Sequence, residues 1–391
     1  MQNIKNIYHL VQAFLAAIIC GFPAKKLKVI GVTGTDGKTT TVHMIAKILE
    51  DAGKKVAYVS TIGAKIGKSE YETGFHVTTP DPFALQRFLK RMAGNGIEYA
   101  VLEVTSHGLD QNRVAFIPFE IGVLTNITHE HLDYHKTFEN YLKAKTRLFK
   151  DAKISVLNSE DLAFGKIEQL TKGKIYKYSK SNNWLNLKLK IEGDYNLSNA
   201  LASAEVAKLL GIDTKSIKNS LENFAGLAGR MEEINEGQDF KVVVDFAHTP
   251  NALEQALKVL KSRRAKKSKL IAVFGCAGER DNQKRPMMGE ISAKLADVTV
   301  ITSEDTRSED PQKISLEILE GLKKSGGKLN TNVFIETDRT KAIQLAIGMA
   351  RKSDTVAIFG KGHEKSMNIE GIEVPWSDQE TVRRVLKGVN K

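Results

Sequence analysis

The stretch Gly31-Val-Thr-Gly-Thr-Asp-Gly-Lys-Thr39 holds the residue types that a bound polyphosphate needs. Glycines let backbone N–H groups approach phosphate oxygens, and a helix opening directly after them favours negative charge. Lys38 would pair with the β- and γ-phosphates of a nucleoside triphosphate, and Thr39 would offer its hydroxyl to Mg²⁺. The strict pattern asks for glycine where Val32 stands, so this is a variant loop. An ordinary glycine-rich strand–helix turn is the bland alternative. The repeated glycines, the Gly-Lys-Thr triplet and the strand–helix context weigh against it.

A loop of this kind says only that a nucleotide is bound; the residues after it decide the chemistry. Glu103 lies near the end of the run Tyr99-Ala-Val-Leu-Glu-Val104, which puts its carboxylate at the carboxyl edge of a sheet, where open α/β sheets bind ligands. Thr105-Ser-His-Gly-Leu-Asp-Gln-Asn-Arg113 follows directly. A second strand end, after Ile121–Thr125, delivers Asn126-Ile-Thr-His-Glu-His-Leu-Asp-Tyr-His135. Hard Mg²⁺ prefers oxygen ligands, with imidazole a tolerated addition. A lone loop histidine is usually a hydrogen-bonding group. His107, His129, His131 and His135 together favour a site, though spacing does not say which histidine does what.

The elements that must position these groups are legible from periodicity. Buried strands are expected over Lys28–Val32, Val56–Ser60, Ala100–Val104, Ile121–Thr125 and Ile154–Leu157. Helical patterns separate them at Thr39–Ala52, Ala84–Met92 and Phe138–Phe149. The alternation restarts after Gly229, with strands at Val242–Asp245, Leu270–Phe274, Val298–Ile301, Val333–Ile335 and Thr355–Phe359 and helices at Ala252–Arg263 and Arg339–Ala350. Between the two sets, Asn196–Leu210 and Thr214–Phe224 read as helices and Gly226-Leu-Ala-Gly229 as a hinge. The fold class is therefore α/β: a phosphate-loop central domain with a mostly parallel sheet, then a C-terminal Rossmann-like domain. The expected boundaries are 1–27 for an N-terminal helical segment, 28–227 for the central domain and 228–391 for the C-terminal one.

Composition narrows the classes further. The chain has 391 residues, 41% hydrophobic and 27% charged, as expected of a globular protein with more than one core. Its formal charge of +12 is spread over scattered lysine pairs, with Arg263-Arg264-Ala265-Lys266-Lys267 the one dense run, and no RNA-binding aromatic motif or zinc spacing accompanies it. Nucleic acid is not an expected partner; polyphosphates and carboxylates are. Cys20 and Cys276 sit in no metal or redox spacing, which fits a reducing, cytoplasmic setting. Ile7 to Phe22 is apolar but too short to span a bilayer comfortably. It reads as an amphipathic or docking helix, with contact to a protein partner or, less favoured, to a membrane. It does not read as a targeting signal.

The chain resembles the Mur ligase family of peptidoglycan synthesis, and within it the enzymes that add the third residue to UDP-N-acetylmuramoyl-dipeptide. The matching stretches include Gly34-Thr-Asp-Gly-Lys-Thr-Thr40, Thr78-Thr-Pro-Asp81, Glu103-Val-Thr-Ser-His-Gly-Leu-Asp110, Thr125 to His135 and Tyr141-Leu-Lys-Ala-Lys145. Gly229-Arg-Met-Glu232, Asp245-Phe-Ala-His-Thr-Pro250, Gly275-Cys-Ala-Gly-Glu-Arg-Asp281, Lys284-Arg-Pro286 and Gly360-Lys-Gly-His-Glu364 continue in the family's order. The resemblance implies an ATP-dependent ligase that activates a carboxylate as an acyl phosphate and joins it to an amine, with Mg²⁺ as cofactor. It implies that Gly34, Thr35, Asp36, Gly37, Lys38, Thr39 and Thr40 hold ATP, with Asn196 and Asn199 on the adenine side. Arg230 would reach the phosphates, and Asp245 and His248 the ribose. Thr39 and Glu103 would hold one Mg²⁺. Glu103, His131 and Lys145 would serve a second, Lys145 as a carbamate made from CO₂. Lys38, Glu103, His131 and Lys145 are thus the expected catalytic group. An arginine supplied to ATP from the C-terminal domain implies domain closure.

The same resemblance assigns the muramoyl-dipeptide acceptor to Thr78, Thr79, Ser106, Gln111 and Arg113. A turn before a helix is the plain alternative for Thr78-Thr79-Pro80. The incoming amino acid falls to Arg285, Glu304, Asp305, Thr306, Arg307, Gly360 and Glu364. Family members selective for meso-diaminopimelate carry Asp-Asn-Pro-Arg where Glu304-Asp-Thr-Arg307 stands. The retained Arg307 favours diaminopimelate over lysine, since a guanidinium repels an ammonium group. The family's N-terminal UDP-binding domain has only about thirty residues to stand for it here. UDP would be held less extensively, or the acceptor is not a UDP-sugar, or another protein supplies that surface, and the helix at Ile7–Cys20 would cover the apolar face so left open. The rivals are a ligase for another carboxylate acceptor, of folylpolyglutamate or cyanophycin type, and a non-catalytic nucleotide-binding subunit.

Overall fold

The computed structural model describes residues 2–71, 78–128, 130–191 and 193–389. The chain divides into two compact units, one of residues 1–128 and 135–225, the other of residues 129–134 and 226–391. The N-terminal residues through Leu27 fall within the first unit.

The first unit is built on an eight-stranded sheet. Its strands are β1 (Lys28–Thr33), β2 (Val56–Val59), β3 (Ala64–Ile66), β4 (Ser69–Tyr71), β5 (Tyr99–Glu103), β6 (Phe119–Leu124), β7 (Ile154–Asn158) and β8 (Lys174–Tyr178). They lie in the order β4-β3-β2-β5-β1-β6-β7-β8, parallel from β2 to β8, with β3 and β4 turned antiparallel at one edge. The central strands are apolar on both faces because helices cover both, as in β5, where every residue is buried. Placing β1 between β5 and β6 brings the ends of these three strands side by side, with Val32 in register with Glu103 and Thr33 with Leu124.

The first three α-helices of this unit are α1 (Gln2–Cys20), α2 (Lys38–Asp51) and α3 (Pro82–Gly94). A further helix, Phe138–Asp151, packs on β1 where Gly31 leaves room. A Cβ there would sit 2.7 Å from the Phe119 ring and 2.9 Å from Leu148 Cδ1. That close approach carries the helix's inward face toward the phosphate loop.

The second unit has the strand order β13-β12-β11-β14-β10-β9, formed by β9 (Glu232–Ile234), β10 (Lys241–Asp245), β11 (Leu270–Phe274), β12 (Val298–Ile301), β13 (Val333–Ile335) and β14 (Thr355–Phe359). It is parallel except for β9, and a hairpin of β15 (Ser366–Ile369) and β16 (Ile372–Pro375) follows. Helices cover this sheet too, two of them joined by the buried pair Arg339–Asp378, bound at 2.8 and 2.7 Å. Arg339 also donates to the carbonyls of Phe359 (2.9 Å) and Ser303 (3.1 Å), so it clamps the chain just before Glu304.

The expected strands and helices are all present within a few residues of their expected ends. The strands β3, β4, β8, β9, β15 and β16 are additions that periodicity does not announce. They are edge or hairpin strands with exposed polar positions, such as Lys174–Tyr178, and so lack a continuous apolar run. Among the described residues no helix is long and apolar enough to cross a membrane.

Candidate active site

In the first unit the phosphate loop is a built cradle. Gly34 takes φ +156°, and a Cβ there would lie 1.8 Å from Thr125 Oγ1. Gly37 takes φ +80° with Asn199 packed beneath it, its Oδ1 2.3 Å from where a Cβ would stand. Val32 departs from the strict pattern because β1 continues through Thr33, leaving Gly34 to make the turn. The strand end after β6 fastens the loop from the side. Asn126 O accepts from Thr35 N (2.7 Å), Asn126 Oδ1 from Asp36 N (3.0 Å), and Asp36 O from Thr125 Oγ1 (2.7 Å). Lys38 Nζ arches back to Thr35 O at 2.8 Å. α2 begins at Lys38 behind the N-cap Gly37, which offers no side-chain cap, so its opening N–H groups can face an anion's oxygens. Thr40 is buried in its first turn.

Beside this cradle, Glu103 is 3% exposed and receives hydrogen bonds on both oxygens. Thr39 Oγ1 (2.9 Å) and Thr61 N (3.0 Å) donate to Oε2, and Thr61 Oγ1 (2.9 Å) to Oε1. Thr61 belongs to no sequence motif. It follows β2, whose end abuts β5 in the sheet order, and that adjacency is invisible without topology. The Thr78-Thr79 pair joins the same network. With its proton on Glu103, Thr61 Oγ1 accepts from Thr78 Oγ1 (3.0 Å), and Thr79 Oγ1 accepts from Thr105 N (3.0 Å). The stretch ends in a helix cap, Asp81 accepting from Phe83 N and Ala84 N. The turn and the network are thus both present. Arg113 donates to Thr79 O (2.8 Å) and to Gln111 Oε1 (2.9 Å), and buried Ser106 pairs with His135 Nε2 at 3.0 Å.

Lys145 is 1% exposed. The helix Phe138–Asp151 is two-faced, and Lys145 lies on the buried face with Tyr141 while Lys143 points out. Its Nζ donates to Gly34 O at 2.6 Å and sits 4.7 Å from the Tyr141 ring centre. Burial, and then the Lys38 charge, hold its pKa well below the ordinary lysine value. Tyr141 OH meets Thr35 Oγ1 at 2.8 Å, a second tie between this helix and the loop. The expected histidine group divides. His107 and His135 meet as tilted rings in the first unit, with ring centres 5.5 Å apart, while His131 belongs to the second unit, where its Nδ1 lies 3.9 Å from Glu130. His129 falls outside the described residues. Asn196 and Asn199 are buried on the helix Asp194–Leu209.

In the second unit two corners form. Arg230 lies over the Phe246 ring at 4.3 Å, and Phe246 also packs on His248 (4.5 Å) and His363 (5.1 Å). Asp245 accepts from Met231 N (2.7 Å) and Ala247 N (2.8 Å); burial raises its pKa while Arg230 opposes the rise. In the other corner Lys361 is fully buried, bound to Asp305 at 2.7 Å and paired with Glu364. Gly360 takes φ +110° under Glu304, whose Oε2 would lie 2.8 Å from a Cβ. That Oε2 is buried without a hydrogen-bond partner among the described residues. Burial pushes the Glu304 carboxyl up to about 7, against the pull of Lys284. Thr306 is buried, and Arg307 is half-buried with its guanidinium on Gly278 O.

Arg285 departs from expectation. It is 0% exposed, and its terminal nitrogens are held by Glu309, Glu317 and Ala277 O, an internal clamp rather than a grip open to a substrate. The guanidinium that stands with Arg307 is Arg280. Its pKa is lowered first by desolvation and then by the Arg307 charge. Arg280 lies inside the stretch Gly275–Asp281, where nothing local in sequence singles it out; it is exposed and feels the charges of Arg307, Asp133, Asp305 and Glu130.

A nucleotide loop beside a buried carboxylate and hydroxyls, with a second Rossmann-like unit carrying paired arginines and acids, defines a nucleotide-dependent ligase of two-unit build. Residues 32–187 match the Mur ligase middle domain, and residues 229–362 match the Mur ligase, glutamate ligase domain. The chain is 40% identical to a UDP-N-acetylmuramoyl-L-alanyl-D-glutamate–2,6-diaminopimelate ligase of Clostridium acetobutylicum, covering 93% of this chain and 79% of that one. A ligase of the same name from Aquifex aeolicus is 38% identical over 94% and 79%. A solved diaminopimelate ligase aligns with TM-score 0.60 and 32% identity over 93% of this chain and 79% of its own. A folylpolyglutamate synthase/dihydrofolate synthase from Yersinia pestis, solved with AMPPNP and Mn ion, shares the fold (TM-score 0.73, 17% identity, 98% and 93% covered). The chain belongs to the Mur ligase family, ATP-dependent ligases of peptidoglycan synthesis.

Replacing Gly34 by alanine should drive a methyl into Thr125 and cost about 1–3 kcal/mol in the loop. Titration with a fluorescent ATP analogue should show at least a roughly tenfold loss of affinity with the fold intact by circular dichroism; unchanged affinity would remove the cradle assignment.

Proposed function

We propose that this ligase joins meso-diaminopimelate to the D-glutamyl carboxylate of UDP-N-acetylmuramoyl-L-alanyl-D-glutamate with ATP. The observation that carries the reading is Glu103, bonded at once to the phosphate-loop residue Thr39 and, through Thr61, to the Thr78-Thr79 pair. Nucleotide and acceptor residues thus share one carboxylate. The oxygen donors Thr39, Thr61 and Glu103 suit a hard cation. Mg²⁺ held there would neutralise charge on the transferring phosphoryl group.

In the reaction, an oxygen of the acceptor carboxylate attacks the γ-phosphorus, and ADP leaves as the acyl phosphate forms. The amine of the amino acid attacks the acyl carbon, loses a proton, and phosphate departs. Lys38 and the opening N–H groups of α2 face the phosphates, and Arg113, seated on Thr79, offers a guanidinium to the acceptor. Burial lowers the Lys145 pKa and so favours the neutral amine, the form whose nitrogen adds CO₂ with loss of a proton to give a carbamate. That would set an anionic oxygen donor near Glu103 where the amine stood.

On the amine side, Arg280 and Arg307 would hold the distal carboxylate of diaminopimelate. Asp305 and Glu364 share Lys361, whereas the buried Glu304 Oε2 has no hydrogen-bond partner among the described residues and would face diaminopimelate's ammonium group. Lysine lacks the distal carboxylate and would leave the Arg280 and Arg307 guanidinium groups facing its cation.

The reading is tested by incubating the protein with ATP, Mg²⁺, the muramoyl-dipeptide and either amino acid, then weighing the products. A tripeptide formed with diaminopimelate, and phosphate release dependent on both substrates, is expected. Preference for L-lysine would overturn the choice of amino acid, and phosphate release without acceptor would overturn the ligase reading of this acceptor.

Glu304 sets a pH dependence whose sign is fixed. Its carboxyl, raised to about 7, is protonated below that pH and cannot balance an ammonium group. KM for diaminopimelate should therefore rise as pH falls through 7, and Glu304→Gln should flatten that profile while raising KM at pH 8. A variant that keeps the wild-type slope would place the titrating group elsewhere.

A further inference from the structure

α1 rests on α3 by one face and shows solvent the other. Ala13, Ala16 and Ala17 are 1%, 0% and 0% exposed, small residues that let the helix lie close on its support. The open face carries apolar residues from Ile7 to Ile19: Ile7 is 63% exposed, Val11 51%, Phe14 45%, Leu15 46%, Ile18 48% and Ile19 67%. Positions 7, 11, 14, 15, 18 and 19 form a single helical stripe. The helix covers α3 with one face and displays a second, apolar face to solvent. Contiguous exposed stripes of this kind mark a contact surface.

Charge selects the occupant. Neither α1, nor the 3-10 turn Pro23–Lys26, nor α3 contains an aspartate or glutamate. The turn exposes Lys25 and Lys26, Lys28 is exposed directly after it, and α3 exposes Arg87 and Lys90. A second copy of this layer would set cation against cation around the stripe, and such juxtapositions are penalised. An anionic bilayer would accept the stripe at its headgroup boundary and pair the lysines and arginines with lipid phosphates. Phe116, 42% exposed, extends the stripe through its ring contact with Phe14 at 5.3 Å.

We propose that α1 is an interfacial helix that docks this protein on an anionic phospholipid bilayer, lying along the surface rather than crossing it. The docking is independent of the substrate reading. It would hold a maker of cell-wall precursor at a lipid surface.

The test is flotation of the full chain with vesicles of phosphatidylcholine mixed with phosphatidylglycerol, and with pure phosphatidylcholine, at low and high salt. The protein should float with the anionic vesicles, less so at high salt, and weakly with the neutral ones. The double variant Val11→Glu, Ile18→Glu should lose roughly tenfold or more of the binding, and Lys25→Glu, Lys26→Glu should weaken it on anionic vesicles alone. Both variants change exposed residues, and retained affinity for an ATP analogue checks the fold. No binding to either vesicle, or binding indifferent to the Val11 and Ile18 changes, overturns the proposal. So does a lipid-free dimer that those changes dissociate.

Discussion

A carboxylate buried to 3% exposure persists in a protein only if its charge is answered on every side, and Glu103 is answered by Thr39 and Thr61 alone among the described hydrogen bonds. That requirement organises the first unit. β5 must end at Glu103, β1 must run beside it so that Thr39 arrives with the opening of α2, and β2 must flank β5 so that Thr61 reaches both oxygens. The strand order β2-β5-β1-β6 meets all these conditions at once. Thr78 is tied to the same carboxylate through Thr61, so the Thr78-Thr79 segment and the phosphate loop cannot be adjusted separately.

The same low-dielectric setting accounts for Lys145. A lysine whose pKa is lowered by burial is a poor structural residue but a reactive amine. Its place is secured by Gly34 O, by the Tyr141 ring and by the tight packing that Gly31 permits. In the second unit burial is handled by pairing. Arg339 with Asp378, Arg285 with Glu309 and Glu317, and Lys361 with Asp305 are closed pairs that stiffen the loops between strands and helices. Against that background Glu304 stands out, since its buried Oε2 has been left without such a partner.

Much of this is legible in the sequence, for identifiable reasons. Strands such as Leu270–Phe274 and Thr355–Phe359 are apolar on both faces, and a continuous apolar run bounded by turns betrays them. The phosphate loop is legible because its glycines, lysine and threonine act through backbone geometry that is local in sequence. Residues whose roles depend on neighbours far along the chain are not. Thr61 meets Glu103 only because β2 lies beside β5, and Lys145 differs from Lys143 only by the face of its helix. Arg280 and Arg285 stand five positions apart as equally plausible cations; burial and partners separate them, with Arg285 locked inside and Arg280 beside Arg307. The polar edge strands, lacking a buried face, leave no periodic signal.

Coupling of a divalent ion to the nucleotide loop through Glu103 is tested most directly by calorimetry. A non-hydrolysable ATP analogue is titrated into the protein and into Glu103→Gln, each with and without Mg²⁺. The wild type should bind markedly tighter with Mg²⁺, and the variant should bind with a weak affinity that Mg²⁺ barely changes. If Mg²⁺ strengthens binding to both proteins equally, the ion is held elsewhere and the site assembled around Glu103 is misread.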